Sequence, residues 1–588
     1  MQAPKLLLCS VFGPYGVKDE YAEGVGCQME LLNNQITREQ GVHSPRQSYW
    51  SFGLYLMAEN LGVDTTILDF PSWRRFKEEL KKGYTHIGIS FIMPNVFKAR
   101  RMARYIRERH PEMKIILGGY GTVLPNLQEM VPHDAVCRGE GVRWLREYFG
   151  ENPEAPVRHP ALIGPAYDYI YGYSRKPTGG ILMTGLGCEN ACPFCITSHQ
   201  FGKRYVHLLK TGREVFEACE RTEREARACG FSIMDENFLK QPQRAQELLA
   251  EMEARNRPYV FDIFSSAETI QKVGVDFLVR LGIRMVWIGV ESKFNTHPKT
   301  KDIDLRALIA ELRSKGIVVQ ASMILFQDHH DERTIREDID WVVGLDSDLV
   351  QFMNYIAIPS TTLHDTLTAQ GRIKDLSPRF QHGAGELNFD HPHFKNPADH
   401  IRILRDAFRA KYRAGGPGVV NMSLTAVRGY LRLSAEHKAR QQRGEVWNPE
   451  TLRYAPAADG QAAPDTFMRA RLRMMKQMVR IYRPSLLAGW VYAPNRAARK
   501  KAREAMALYT QAFGKPRMAD RIAALVLVVT GGVELARIAL SKLLGREGIV
   551  RQPPCRRTEY HNSLIAADPA QAEARPFKKP KIAGTTEG

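Results

Sequence analysis

Short runs rich in β-branched residues recur along this chain with amphipathic stretches between them, and that alternation restricts the available folds more than any other feature. Between residues 5 and 141 the runs are KLLLCSVF (5 to 12), TTILDF (65 to 70), THIGISFI (85 to 92), KIILGG (114 to 119) and DAVCRGEG (134 to 141). Helical patterns such as SYWSFGLYLMAENLG and VFKARRMARYIRERHP separate most of them. This order predicts a doubly wound, parallel α/β sheet whose ligand lies beyond the carboxyl ends of the strands. Those ends carry Phe12-Gly13-Pro14, Ser90, Gly118-Gly119 and Gly139-Glu140-Gly141. Glycine there permits close backbone approach to a ligand, as it also permits a plain turn.

At 588 residues the chain exceeds the size at which a single core keeps growing, so about three domains are expected. An apolar share of 44% beside 25% charged residues belongs to a globular protein. Nine cysteines in this length make no disulfide framework, and Cys9, Cys27, Cys137, Cys219 and Cys229 stand singly. A reducing, cytoplasmic compartment is the expectation. The N-terminus MQAPKLLLCSVFGPYG reads as a first strand, its apolar run too short for a signal peptide. Residues 401 to 588 hold 35 Lys or Arg against 14 Asp or Glu, while the whole chain is +19, so the basic excess belongs to the C-terminal third.

A second alternation follows: GGILMTGL (179 to 186), GFSIMDENF (230 to 238), YVFDIFSSAE (259 to 268), IRMVWIGVES (283 to 292), IVVQASMILF (317 to 326) and LVQFMNYIAIPSTTL (349 to 363). Six strands predict a partial (βα)6 barrel with its chemistry at the strand C-termini. Directly after the first comes CENACPFC, three cysteines within eight residues. A zinc site calls for four N or S ligands, usually in paired knuckles, and only half of such a set is present. A thioredoxin-like pair leaves Cys188 without a use. Three thiolates suit three irons of a four-iron cluster, with the fourth iron open to an outside ligand.

The Cys-x3-Cys-x2-Cys spacing, with Phe194 before the last cysteine, resembles the signature of the radical S-adenosylmethionine (SAM) superfamily. The resemblance implies a 4Fe–4S cluster on Cys188, Cys192 and Cys195, with Phe194 beside the SAM site. It assigns Asp235, Glu236 and Asn237 of MDENF to the SAM amino group, and Glu291 of IGVES to the ribose or methionine portion. IAIPSTTL resembles a Pro-x-Pro-Gly-Thr-x-Leu segment, with Ser360 in place of the usual glycine. LFQDHHDERT stands where relatives often carry a Gly-Phe-Pro-Gly-Glu-Thr turn, and His329 and His330 there are expected to be solvated.

GISFIMPN, ILGGYG and VCRGEG, in that order, resemble the cobalamin-binding domain fused to many radical SAM enzymes. That likeness implies cobalamin contacts from Ser90, Gly118, Gly119, Gly139, Glu140 and Gly141. Residues 12 to 46 lack the Asp-x-His-x-x-Gly loop of mutases and methionine synthase, so no histidine from that loop is expected on cobalt, and His43 is expected to be a surface or packing residue. Together the two halves resemble the cobalamin-dependent radical SAM methyltransferases. The resemblance implies that a 5′-deoxyadenosyl radical takes hydrogen from an unactivated carbon, that methylcobalamin supplies the methyl group, and that a flavodoxin or ferredoxin supplies electrons. A non-methylating radical cyclase and a cobalamin- or SAM-binding regulator without turnover remain as rivals. A methylthiotransferase with a second cluster is opposed by the βαβ context and the glycine motifs.

Residues 151 to 178 are expected to connect the two α/β domains, and 401 to 555 to form a basic helical region. Two of its segments, 468 to 506 and 520 to 545, suit either an anionic membrane interface or a helical domain packed on the barrel. The uncharged run from Ile522 to Val533 is shorter than the roughly 20 residues a span requires. The membrane alternative fits the branch that includes hopanoid and other lipid C-methylases, peripheral on the inner face of the membrane. Nucleic acid is disfavoured, because the basic residues are mixed with large apolar ones and no groove-reading motif is present. The tail from Arg556 is expected to be disordered.

Overall fold

The computed structural model describes residues 3–14, 39, 41–43, 50–164, 179–294, 299–300, 302–457, 463–544, 553–562 and 581–582. Cys27, most of the loop from 12 to 46 and the segment from 165 to 178 lie outside them.

The first domain is a parallel sheet of β1 (Lys5–Ser10), β2 (Asp64–Asp69), β3 (His86–Ser90), β4 (Lys114–Gly118) and β5 (Ala135–Val136), in the order β2-β1-β3-β4-β5. Leu6, Leu7, Leu8 and Cys9 of β1 are all buried. A strand covered on both faces reads as a continuous apolar run, which is why KLLLCS was legible. One face packs on α1 (Phe52–Glu59), and the other on α2 (Trp73–Leu80), α3 (Val96–Arg109) and α4 (Leu127–Met130); α5 (Gly141–Tyr148) joins α1. The sheet is therefore doubly wound, with its switch point between β1 and β3.

The second sheet forms the barrel. β6 (Leu162–Ile163) runs antiparallel to β7 (Gly179–Leu182), so part of the expected connector is itself a strand. β8 (Gly185–Leu186) and β9 (Val206–His207) make a small antiparallel pair. β10 (Gly230–Ile233), β11 (Phe261–Ser265), β12 (Ile283–Glu291), β13 (Val318–Leu325) and β14 (Leu349–Asn354) continue parallel to β7. Six parallel strands, β7 and β10 to β14, give the expected partial (βα)6 barrel. Its helices are α6 (Ile196–Gln200), α7 (Gly212–Ala226), α8 (Pro242–Ala254), α9 (Ala267–Val273), α10 (Val275–Leu281), α11 (Leu305–Ser314), α12 (Glu332–Gly344), α13 (Thr362–Ala369) and α14 (Pro397–Gly415). α7 opens on a reciprocal capping box of Thr211 and Glu214, which satisfies two orphan donors at its start.

The C-terminal region comprises α15 (Gly418–Gln442), the hairpin β15 (Glu445–Asn448) and β16 (Arg453–Pro456), α16 (Thr466–Arg480), α17 (Ser485–Val491), α18 (Arg496–Phe513) and α19 (Met518–Leu543). α15 crosses the amino ends of the barrel strands so closely that a Cβ on Gly429 would lie 2.0 Å from the Gly316 Cα. α16 sends Phe467 and Met468 into the barrel core, and Asp465 at its start accepts from Arg280 Nη1 at 2.6 Å. The segment from 468 to 506 is thus largely a packed part of the globular fold.

The tail from Arg556 is expected to be disordered, but its described residues, 556–562 and 581–582, are ordered. β17 (Arg556–Tyr560) pairs antiparallel with β2, from Arg556 opposite Asp69 to Tyr560 opposite Thr65, and β18 (Lys581–Ile582) pairs with β17. Arg557 Nε donates to both oxygens of Glu79 at 2.9 Å, and Asn562 donates to the carbonyls of Ala58 and Val63. The chain thus returns to its first domain and extends the sheet beyond β2 with a charged antiparallel strand.

Candidate active site at the barrel mouth

The three cysteines sit on an excursion between β8 and β9, at the carboxyl end of β7. Gly187 opens it with φ +80°, and a Cβ there would lie 2.3 Å from the Arg204 carbonyl, so only glycine closes this loop. The Cys195 N–H donates to the Cys192 carbonyl at 3.0 Å, and Ser198 Oγ donates to the Cys188 carbonyl. Burial pushes all three thiols up, and the charge of neighbouring cysteines adds to this at Cys188 and Cys195. Among the described residues, the one group of ligand atoms gathered within 4.8 Å of one another is His329, His330 and Asp338, not these sulfurs. A single tetrahedral zinc, with Zn–S of about 2.3 Å, needs its sulfurs nearer than that. A wider cluster does not.

The neighbouring acids Asp235 and Glu236 have opposite fates. Asp235 is fully buried and accepts from Thr184 N (3.0 Å), Gly185 N (3.0 Å), Thr184 Oγ1 (2.5 Å), Arg244 Nη2 (2.8 Å) and the Tyr205 hydroxyl. It thereby ties the start of the cysteine excursion to its end, and both oxygens are consumed. Asn237 is likewise spent on Ser265 Oγ (2.9 Å) and Ser266 Oγ (3.1 Å), clamping the end of β10 to that of β11. Both residues are expected to meet SAM; in this structure their side chains hold neighbouring loop and strand ends together. Glu236 differs, because its Oε2 is buried without a partner. Burial, with the Asp235 charge adding, pushes Glu236 up to about 8, and it lies close enough to Cys188 and Cys195 to raise them in turn.

Glu291 ends β12 in a left-handed conformation, φ +58°, just past a register shift, and accepts from Lys299 Nζ. Burial opposes the Lys299 charge, but Glu291 and then Cys192 outweigh it and hold its pKa above the ordinary value. Lys299 also lies 5.6 Å from the Phe194 ring, which meets Tyr355 edge-on at 5.8 Å. Nothing in the local sequence singled out Lys299. At the sixth strand, Leu363 N donates to the Pro193 carbonyl at 2.9 Å, and His199 Nε2 lies 2.9 Å from Thr362 Oγ1. Ser360 has φ +71°, the backbone that glycine adopts more easily at this motif position.

The first sheet faces this mouth with its carboxyl edge. The Tyr120 hydroxyl, just past β4, donates to Thr197 Oγ1 of α6 at 3.3 Å. Burial, then Glu236 and Cys195, push Tyr120 up to about 12. The turn Met93–Asn95 packs on the turn Pro378–Phe380 beyond the barrel. Of the expected cobalamin residues, Ser90 and Gly118 stand at the ends of β3 and β4. Nothing nearer than the Cys137 Cβ, at 4.0 Å, would meet a Cβ on Gly118, and Gly139 has nothing within 4 Å. Gly119 and Gly141 answer to packing: added Cβ atoms would meet the Phe91 carbonyl at 2.6 Å and Met57 Sδ at 2.4 Å. Glu140 caps α5, accepting from Val142 N and Arg143 N. Its carboxylate is thereby engaged at the start of the helix.

One histidine expectation also changes. His330 is not solvated; it is fully buried, with Nε2 3.0 Å from Asp338 and Nδ1 accepting from Gln327 N. His329 is exposed as expected and stacks edge-on with Phe294 at 5.5 Å. His43 is buried, and burial pushes it down to about 4. It is a packing residue beside Gly489 of α17.

No family model matches the sequence. Among curated proteins, the chain is 22% identical over 331 residues to an uncharacterized methyltransferase of Pyrococcus horikoshii, covering 50% of this chain and 71% of that one. The sequence similarity is to a methyltransferase. Among solved structures, the radical S-adenosylmethionine methyltransferase TsrM of Kitasatospora setae, with tryptophan substrate and the SAM analog aza-SAM bound, gives a TM-score of 0.49 at 16% identity, covering 75% of this chain and 100% of that chain. TsrM with cobalamin and a 4Fe–4S cluster bound gives 0.49 at 15% identity, covering 82% and 100%.

Proposed function

We propose that this chain is a cobalamin-dependent radical SAM methyltransferase acting on a carbon of a small-molecule or lipid substrate. The observation that carries the reading is one juxtaposition: three thiols on one short loop and the Glu236 carboxylate, with one buried oxygen unbonded, at the barrel mouth, and the carboxyl edge of a 2-1-3-4-5 sheet set against them through Tyr120 and Thr197. When bound, the cluster would cleave SAM reductively to a carbon radical, and cobalamin would carry the methyl group.

The residues present fit those groups. Cys188, Cys192 and Cys195 would hold three irons, the Glu236 oxygen would accept from the SAM amino group, and its raised pKa suits a buried acid waiting for a cation. Lys299 sets a fixed positive charge beside Cys192, and Phe194 with Tyr355 walls the site against water. The open backbone at Gly118 and Gly139 leaves room for a large planar ligand at the first sheet. An external flavodoxin or ferredoxin would supply electrons, in a reducing compartment that suits the free cysteines.

The test is anaerobic reconstitution followed by three readouts that need no substrate: iron content, SAM cleavage and transfer of a SAM methyl group to reduced cobalamin. About four irons per chain, with methylcobalamin formed, is the expected result. About eight irons would indicate a second cluster and a methylthiotransferase. Cleavage to 5′-deoxyadenosine without methylcobalamin would favour a cyclase, and binding without either product a regulator.

A further inference from the structure

Helix α19 packs by one narrow face and turns a long apolar stripe outward. Ala524, Leu527, Gly531 and Glu534 are its buried residues, repeating every three or four positions against α17. At Gly531 the Tyr492 ring lies so close that a Cβ would meet it at 2.5 Å, and the Tyr492 hydroxyl donates to the Val528 carbonyl. The other side carries Met518, Ile522, Leu525, Val526, Val529, Val533, Leu540, Leu543 and Leu544, between 39% and 84% exposed. At about 100° per residue these fall within one stripe about 100° wide, opposite the packed face. A row of large apolar side chains this long is not left to water in an ordinary soluble domain. No described residue covers it.

We infer that this stripe is a membrane-docking surface that lies flat in the interface of an anionic bilayer. Charge selects this occupant. Residues 463 to 544 hold sixteen Lys or Arg against four Asp or Glu. Of the four acids, Glu534 is buried against Arg537 at 2.6 Å, and Asp465 is bonded to Arg280. Lys515, Arg517 and Arg521 are exposed around the first turn of the helix, and Arg496, Arg499 and Lys500 are exposed on α18. A second copy seated on the stripe would bring this positive surface against itself, whereas anionic headgroups neutralise it.

The helix is long and apolar enough to cross a bilayer by length and composition, yet only 22% of its most apolar window is buried. Crossing would carry the Glu534–Arg537 pair and the Tyr492 contact into hydrocarbon, so the interfacial orientation is the one the packing favours. This inference stands on the C-terminal helices alone and does not rest on the reading of the barrel.

Full-length protein, as purified, should co-sediment with phosphatidylcholine vesicles containing phosphatidylglycerol about tenfold more tightly than with phosphatidylcholine alone. Binding should fall as salt is raised, since the Debye length drops from about 10 Å at 0.1 M to about 3 Å at 1 M. The double variant Val529→Gln with Val533→Gln should lose binding while its thermal midpoint and oligomeric state stay those of the parent. Leu540→Gln, nearer the helix end, serves should the double variant unfold. Absence of binding to anionic vesicles at low salt would overturn the proposal. So would a parent dimer that the stripe variants dissociate, because a second copy would then be the partner.

Discussion

At its carboxyl edge the first sheet presents Ser90, Gly118 and Gly139, small groups with space in front of the two glycines, whereas the barrel presents three thiols, Glu236, Lys299 and two aromatic rings. Both sheets are parallel apart from antiparallel strands added at one side, both bury their central strands on two faces, and both end where ligands of α/β folds bind. The difference lies in what each edge contributes. One offers backbone and volume, suited to holding a ligand that brings its own reactivity; the other offers thiols and charged side chains, suited to the metal centre proposed above. The contact of Tyr120 with Thr197 ties the two edges together.

The sharpest way to break this comparison is to remove the barrel's ligands. Cys188→Ala, Cys192→Ala or Cys195→Ala should abolish iron binding and SAM cleavage outright, while the first sheet still takes up cobalamin. Loss of cobalamin in the same variants would mean that the two edges form one indivisible site. A finer cut separates the adjacent acids. Asp235→Asn leaves Arg244 buried and unpaired and should cost about 3–5 kcal/mol of stability, read from denaturant melts. Glu236→Gln should keep the parent's stability, because a carboxyl pushed up to about 8 is largely neutral in the empty site, and weaken SAM binding by about tenfold or more, because the amide cannot ionise to meet the SAM ammonium. Equal destabilisation by both would dissolve the distinction drawn between them.

How much of this was legible in the sequence follows from the same physics. The strands of both sheets were readable because two-sided burial demands unbroken apolar runs, and the cysteine spacing placed the loop at the end of β7 before any coordinates did. MDENF was readable as a polar turn at a strand end, but three polar residues in a row do not reveal which one is left without a partner. That depends on Thr184, Tyr205 and Arg244, which reach Asp235 from other elements. Lys299 escaped because its meaning comes from Glu291 and Cys192, which the barrel brings beside it. β17 escaped for another reason: RRTEY is a charged strand, and its partner β2 lies nearly the whole chain away. In the C-terminal third, composition alone treated α16, α18 and α19 alike, although only α19 turns its large apolar residues outward along its length.

β17 also gives the first domain a pH signature. Burial would raise Glu79, but hydrogen bonds from Arg557, Tyr84 and Lys82 outweigh it and hold the carboxyl at about 2, against an ordinary 4.5. A depressed carboxylate stabilises the fold fully above its unfolded pKa and loses that contribution as pH falls toward its folded one. The expected contribution is on the order of 3 kcal/mol at neutral pH, declining between about pH 4.5 and 2. Glu79→Gln should therefore be less stable than the parent at pH 7, with the gap narrowing through that window. A gap independent of pH would show that the Arg557 contact acts by packing alone.

The smallest expected effect concerns the space at the first sheet's edge. Gly118 is free of positive φ, and a Cβ there would meet only Cys137 at van der Waals distance, so Gly118→Leu should fold with less than about 1 kcal/mol lost. If the edge works by leaving room, the added side chain should weaken cobalamin binding about tenfold, equivalent to about 1.4 kcal/mol, while iron content and SAM cleavage at the barrel stay intact. Gly119→Leu is the matched control. There φ is +84° and the added carbon would meet the Phe91 carbonyl at 2.6 Å, so that variant should lose stability first and cobalamin only as a consequence. Should Gly118→Leu bind cobalamin as the parent does, the ligand does not approach the end of β4. The open space at Gly139 would then be the remaining candidate for the edge that receives it.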